Sequence, residues 1–190
     1  MNSVFIHIPK TGGTTIQECL GLEKFRYLHR VSNFKQEGNV TFGHINYKRL
    51  LREGLISKSF DENSFKFAFT RNPYDRAVSI FHWHKKKNEI SKDLSFLDFS
   101  RNLKRTGYQK TYVKGVKLDF LGRYENFEQD LKYVANILGI DLKEVPRLNA
   151  TKHRPYYTYY CEESKYNVEE YYRRDFEHFG YEQDNNLLYR

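Results

Sequence analysis

Cysteine, tryptophan, methionine and proline are scarce in this chain: 2 Cys, 1 Trp, 1 Met and 4 Pro in 190 residues. The two cysteines, Cys19 and Cys161, lie far apart, and neither belongs to a metal-ligand spacing. They allow one disulfide at most, and two reduced thiols are the expectation for an intracellular protein. No apolar run approaches the length that crosses a membrane. The first apolar stretch, Val4 to Ile8, is too short for a signal peptide. These absences predict a soluble, cytoplasmic chain with no membrane span; the soluble part of a membrane-anchored protein would read the same way. Repeats and low-complexity linkers are also missing, so residues 1–190 are expected to form one domain.

What is present is aromatic and basic. The chain carries 16 Tyr and 15 Phe, and its hydrophobic fraction of 39% suffices for a core. A mean hydropathy of −0.81 adds a wet surface. The net charge of +8 favours anionic partners, among them nucleotides, nucleic acid, acidic glycans and acidic lipid. Charge alone does not choose between these, and solubility is the plain alternative.

Periodicity places the elements. Val4–Ile8 reads as a buried strand closed by Pro9, and Thr14–Leu20 as a helix. Val40–Gly43 and Phe65–Phe69 read as further strands, with a short helix over Tyr47–Glu53. Pro73 suits a first helical turn, and Ala77, Ile80, Phe81 and His84 follow at helical spacing. The stretch 91–114 reads as loops and short helices, and 117–124 as another strand. Asn126–Leu138 is the clearest helix, with Asn126 as cap, Gln129 in the capping-box position and Gly139 as stop. Residues 145–160 read as an ordered loop. A last helix is expected to open at Asn167 and run to Phe179. Strands alternating with helices predict an α/β sheet protein.

Two motifs carry chemistry. Pro9-Lys10-Thr11-Gly12-Gly13-Thr14-Thr15 stands between a strand and a helix. Glycines let backbone N–H groups approach an anion, the helix start adds its own, Lys10 supplies charge and the threonines hydroxyl donors. An ordinary Gly-Gly turn is the plain alternative. The Lys precedes the glycines, so this is neither a Walker loop nor a dinucleotide fingerprint. The second motif is Phe69-Thr70-Arg71-Asn72-Pro73-Tyr74-Asp75-Arg76-Ala77-Val78-Ser79. Here a strand end delivers Arg71, and Ser79 follows eight residues on. Arginine holds a phosphate through two N–H bonds and serine can add a third. Asp75 and Arg76 read equally well as a local ion pair.

Ile6–Thr15 resembles the 5′-phosphosulfate-binding motif of sulfotransferases that use 3′-phosphoadenosine 5′-phosphosulfate (PAPS). It is most similar to the carbohydrate branch with the uronyl 2-O-sulfotransferases. The second motif resembles the same family's 3′-phosphate-binding stretch. Gly122–Phe127 and Tyr171–Tyr181 resemble its later elements, so the resemblance covers Val4 to Tyr181. It implies a P-loop-like three-layer fold with a central parallel sheet flanked by helices. It implies PAPS as co-substrate, adenosine 3′,5′-bisphosphate as product, and no metal. The nucleotide ligands it implies are Lys10, Thr11, Gly12, Gly13, Thr14, Thr15, Arg71 and Ser79. Lys152 or Arg154, in the basic loop Asn149–Tyr156, would add a contact to the 3′-phosphate.

In-line sulfuryl transfer needs positioning, neutralisation of the leaving oxygen and a base for the acceptor hydroxyl. Lys10 is the residue for neutralisation. Among the seven histidines, His44 lies at a strand end, where ligands gather in parallel sheets. It also matches the Gly-His stretch that holds the catalytic histidine in the 2-O branch. His7 reads as structural, and Glu125 as a junction residue and second-choice base. The expected acceptor is a carbohydrate hydroxyl. Lys85–Lys87, Lys48, Arg49 and Arg52 would suit an anionic glycan or form a solvated face. A protein tyrosine or a small hydroxylated metabolite remains an alternative acceptor. Two other function classes stay open: a phosphoryl-transfer enzyme, and a non-catalytic protein that binds nucleotide or single-stranded nucleic acid by stacking. No RRM, KH or zinc pattern supports nucleic acid as the partner.

Overall fold

A computed structural model describes residues 1–25, 35–103, 107–146 and 153–190. In chain order β1 covers Asn2–Ile6, α1 Gly13–Cys19, β2 Glu23–Lys24, β3 Asn39–Thr41, α2 Tyr47–Arg52, α3 Lys58–Glu62 and β4 Ser64–Thr70. Then follow α4 Pro73–Lys86, α5 Phe96–Ser100, α6 Gln109–Val113, β5 Phe120–Arg123, α7 Phe127–Ile137 and α8 Glu162–Phe179. The contacts gather into two compact units. One comprises Met1–Thr70 with Thr111–Asn149, the other Arg71–Lys110 with Ala150–Arg190.

The first unit holds a five-stranded sheet in the order β2-β3-β1-β4-β5, and every pairing is parallel. Parallel strands are covered on both faces, which explains their near-continuous apolar composition. Phe5, Phe67 and Phe69 share a core with Ile16 and Leu20 of α1 and Leu131, Val134 and Ala135 of α7. Val4, Ile6, Val40 and Ala68 alternate to the opposite face and are equally buried. Gly122 of β5 stands opposite Phe69, where a methyl group would come within 2.5 Å of the Phe69 ring. The chain leaves β1 for β3 and β2 on one side and returns through β4 on the other. This makes the carboxyl end of β1 a switch point, where open α/β sheets bind ligands.

Several boundaries differ from the sequence expectation. β1 starts and ends two residues early, because its ladder runs from Asn2↔Ser64 to Ile6↔Ala68 and then stops. Asn126 makes no side-chain cap for α7; a 3₁₀ turn over Tyr124–Asn126 precedes that helix. Asp130 instead reaches back to accept the Arg123 N–H at 2.6 Å. α8 opens at Glu162 rather than at Asn167, because Cys161 and Ser164 form the capping box. Asn167 lies inside the helix and donates to the Ser100 hydroxyl at 3.1 Å. The short helix α3 has no apolar period of its own and is nucleated by Ser57, whose hydroxyl accepts the Phe60 N–H. Cys19 and Cys161 are free thiols. Among the described residues, no helix is long and apolar enough to cross a membrane.

The second unit has its own core. Tyr74, Ala77, Val78 and Phe81 of α4 meet Phe96 and Phe99 of α5 and Val168, Tyr172 and Phe176 of α8. Asn72 caps α4 by accepting the Tyr74 N–H at 2.9 Å, and Pro73 fills the first turn as expected. At the edge of this core His82 stacks on His153, ring centroids 4.9 Å apart and planes within 6°. The buried His82 Nε2 has no hydrogen-bond partner among the described residues. Burial, then the charges of His153 and Lys85, push His82 down to about 4 from its ordinary 6.5. The folded state therefore binds fewer protons than the unfolded chain between those values. The stability tied to neutral His82 is fully present above pH 6.5 and falls as pH drops toward 4. Thermal unfolding followed from pH 7 to pH 4.5 should show this loss, and His82→Phe should flatten the slope over that window. An unchanged slope would mean that His82 takes up its proton as readily in the folded protein as in the unfolded chain.

Candidate functional site

The turn that follows β1 is conformationally demanding. Lys10 sits in the left-handed region at φ 70° and Gly12 at φ 85°. For lysine that conformation costs about 1–2 kcal/mol, a strain that folds retain mainly at working sites. Gly12 is the N-cap of α1, whose first turn carries no acidic side chain. Thr14 is exposed on that turn, whereas Thr15 is buried. Thr11 is buried, and its hydroxyl donates to the Ile8 carbonyl at 2.9 Å, holding the turn together. The loop thus offers a lysine, the exposed Thr14 hydroxyl and backbone donors, with no carboxylate among them. That donor set fits an anionic group such as a phosphosulfate.

Two rings press on the loop from behind. A methyl group on Gly13 would lie 1.8 Å from His7 Nε2, and one on Gly12 would lie 2.4 Å from the Phe127 ring. Neither position tolerates a Cβ. His7 is itself braced: Gln17 Nε2 donates to its Nδ1 at 3.1 Å, and its ring stacks on Phe5 at 5.3 Å. An amide nitrogen only donates, so the neutral His7 ring carries its proton on Nε2.

His44 joins the same cluster. It is exposed and lies three residues beyond β3. Its Nδ1 pairs with the His7 backbone carbonyl at 3.2 Å, and the two rings are 4.3 Å apart. A carbonyl can only accept, so Nδ1 carries the proton and the lone pair of the neutral ring resides on Nε2. The first unit thereby brings Gly13 and His44 into contact with the same residue, His7.

Arg71 and Ser79 belong to the second unit, and both are buried. Arg71 forks onto Asp75, with Nε–Oδ2 and Nη2–Oδ1 both at 2.8 Å. The local ion pair of this stretch is therefore Arg71–Asp75. Arg76 is wholly buried, donates to the Gly107 carbonyl at 3.0 Å and lies over the Tyr172 ring. Arg154 is exposed with its guanidinium over the Tyr159 ring at 5.3 Å. Lys152 lies outside the described residues. Arg49 and Arg52 both pair with Glu53, and Lys85 donates to the Lys92 carbonyl. Lys48, Lys86 and Lys87 are exposed. Among the described residues no group of three or more His, Cys, Asp or Glu is placed to hold a metal ion.

Some of these contacts have no signature in the sequence. Phe127 reads as a helix-face residue, and its pressure on Gly12 is a tertiary contact. Gln109 sits in a polar stretch with nothing to single it out, yet it is wholly buried and bonded to the Arg71 backbone. His7 carries the nearest thing to a signal, because it alternates outside the apolar set immediately before the loop.

A search of curated proteins finds no match. Among solved structures, the crystal structure of mouse sulfotransferase SULT7A1 complexed with PAP superposes with a TM-score of 0.63 at 16% identity, covering 92% of this chain and 84% of that one. A sulfotransferase from Alicyclobacillus acidocaldarius superposes with a TM-score of 0.53 at 15% identity, covering 100% of this chain and 96% of that one. Both share the α/β fold with its central parallel sheet flanked by helices. A family model described as "Sulfotransferase family" matches residues 2–182, nearly the whole sequence, and the chain belongs to that family.

Proposed function

We propose that this protein transfers the sulfuryl group of PAPS to a hydroxyl on a carbohydrate. The observation that supports the reading is the contact of His7 with both His44 and the glycine turn: its carbonyl pairs with His44 Nδ1, and its ring packs on Gly13. The nucleotide supplies the sulfuryl group and departs as adenosine 3′,5′-bisphosphate, the PAP with which the mouse fold neighbour is complexed. Lys10 and the backbone of Thr11, Gly12 and Gly13 hold the 5′-phosphosulfate end, with the hydroxyls of Thr14 and Thr15. Lys10 neutralises charge on the bridging oxygen as the bond to sulfur breaks. Arg71 and Ser79 take the 3′-phosphate, with Lys152 or Arg154 as a further cation. His44 Nε2 accepts the proton of the acceptor hydroxyl as its oxygen attacks. The choice of a sugar hydroxyl rests on the likeness to the 2-O branch. The exposed Lys48, four residues beyond His44, suits an acceptor with negative charge.

Two experiments test this. Calorimetric titration with adenosine 3′,5′-bisphosphate should show binding that adenosine 5′-monophosphate does not match and that Arg71→Ala loses. Equal affinity for the two nucleotides would remove Arg71 from the site. Transfer from labelled PAPS to a panel of polysaccharides should fall by roughly 10²–10⁴-fold in His44→Ala, with nucleotide affinity kept. A His44→Ala protein of full activity would dismiss His44 as base.

The strained loop adds a stability test. Lys10→Gly should relieve the left-handed strain and raise the melting temperature relative to Lys10→Ala, by an amount equivalent to about 1 kcal/mol. Both variants should lose transfer. Equal melting temperatures would show that Lys10 is not held in that conformation.

A further inference from the structure

Arg71 occupies an awkward place in the chain. β4 ends at Thr70, and Asn72 is already the cap of α4. One buried residue is left between a ladder and a helix, and its backbone N–H and C=O both need partners. Gln109 supplies both from 38 residues away: its Oε1 accepts the Arg71 N–H at 3.0 Å, and its Nε2 donates to the Arg71 carbonyl at 2.8 Å. One side chain thus replaces a rung of sheet. Gln109 is wholly buried, so no water competes for these bonds.

Gln109 is held in turn. Its backbone N–H and that of Lys110 both donate to the carboxylate of Asp175, at 2.8 and 3.0 Å. Asp175 is wholly buried on α8. Its charge sits near Arg76, and burial raises its carboxyl above the ordinary range in spite of these bonds. The relay from Asp175 through Gln109 to Arg71 lies within the second unit. Asp75 orients the guanidinium head of Arg71 by the fork described above. The backbone and head of Arg71 are therefore fixed by different residues.

We propose that Gln109, anchored by Asp175, is the positioning residue for the 3′-phosphate grip. It sets the point from which the Arg71 side chain springs. The proposal rests on Arg71 being the 3′-phosphate ligand. An arginine whose root is fixed before binding has less freedom to lose when it meets phosphate. The selectivity of the site for a 3′-phosphorylated nucleotide then depends on an amide that never touches it.

The test is calorimetry with adenosine 3′,5′-bisphosphate and adenosine 5′-monophosphate on wild type, Gln109→Met and Gln109→Glu, each with a melting curve. Methionine keeps the length and removes both bonds; glutamate keeps the acceptor for the Arg71 N–H and loses the donor. Gln109→Met should weaken the bisphosphate on the order of tenfold, as removal of a ligand-orienting partner typically does. The monophosphate should be unaffected. Gln109→Glu should fall between Gln109→Met and wild type, and it is the variant to read if Gln109→Met does not fold. Unchanged bisphosphate affinity in the folded variants would overturn the proposal. So would equal weakening of both nucleotides, which is what general loosening of the fold would produce. A wild type that ignores the 3′-phosphate would instead defeat the assignment of Arg71 itself.

Discussion

Two aromatic rings stand where the Cβ atoms of Gly12 and Gly13 would be, and much of the first unit follows from that crowding. The Phe127 ring comes from the start of α7, and the His7 ring from the first residue beyond β1. The turn beside them passes through left-handed conformations at Lys10 and Gly12. A glycine accepts such a conformation without penalty and a lysine does not. The strain at Lys10 is sustained by neighbours that are packed on their own account: Thr11 bonded to Ile8, Phe127 on a helix in the core, and His7 between Phe5 and Gln17. The same His7 gives its carbonyl to His44. The residue whose ring crowds Gly13 thus also fixes, through its carbonyl, the tautomer of the neighbouring His44.

The second unit reaches order by a different route. It buries a guanidinium, a carboxylate and a primary amide outright, in Arg76, Asp175 and Gln109. Burial of that kind is a poor source of stability, because each charge leaves its hydration behind. The upward shift of the Asp175 carboxyl, with desolvation as its largest cause, expresses that penalty. What the arrangement gains is uniqueness. The carboxylate has two backbone donors and the amide has a matched donor and acceptor, so slipping any one element leaves several groups unpaired at once. Apolar packing of α4, α5 and α8 would tolerate small shifts that this network does not.

The fold was largely readable because parallel strands and amphipathic helices announce themselves. Phe65–Phe69 and the face Leu131, Val134 and Ala135 carry the period of the element they form, and the Gly-Gly turn is visible because nothing else puts glycines there. Boundaries were less readable. The start of α8 is set by Cys161, a residue with little capping preference, and its partnership with Ser164 is a matter of geometry. β1 ends where its partners end, which only the register shows. The site divides in the same way. Lys10, Gly12, Gly13, Arg71 and Ser79 stand in compact motifs. Gln109, Asp175 and Phe127 act across 38, 66 and 115 residues of chain, on Arg71, on Gln109 and on Gly12 respectively. No local pattern marks a contact of that range.

The two units also differ in what can be altered without loss. On the proposed assignment, anion binding in the first is built from backbone direction, and its vulnerable positions are those where atoms must be absent, at Gly12 and Gly13. In the second, on the same assignment, it is built from a side-chain cation whose orientation is maintained by atoms that are present, in Asp75 and Gln109. A backbone cradle discriminates poorly between phosphate and phosphosulfate, because both offer the same oxygens to the same donors. An oriented arginine distinguishes a nucleotide that carries a further phosphate from one that does not, because only the former completes its charge-assisted bonds. On the proposed assignment, selectivity for the 3′-phosphorylated nucleotide therefore falls to the second unit. On the same assignment the chemistry of transfer falls to the first, where Lys10 and His44 stand.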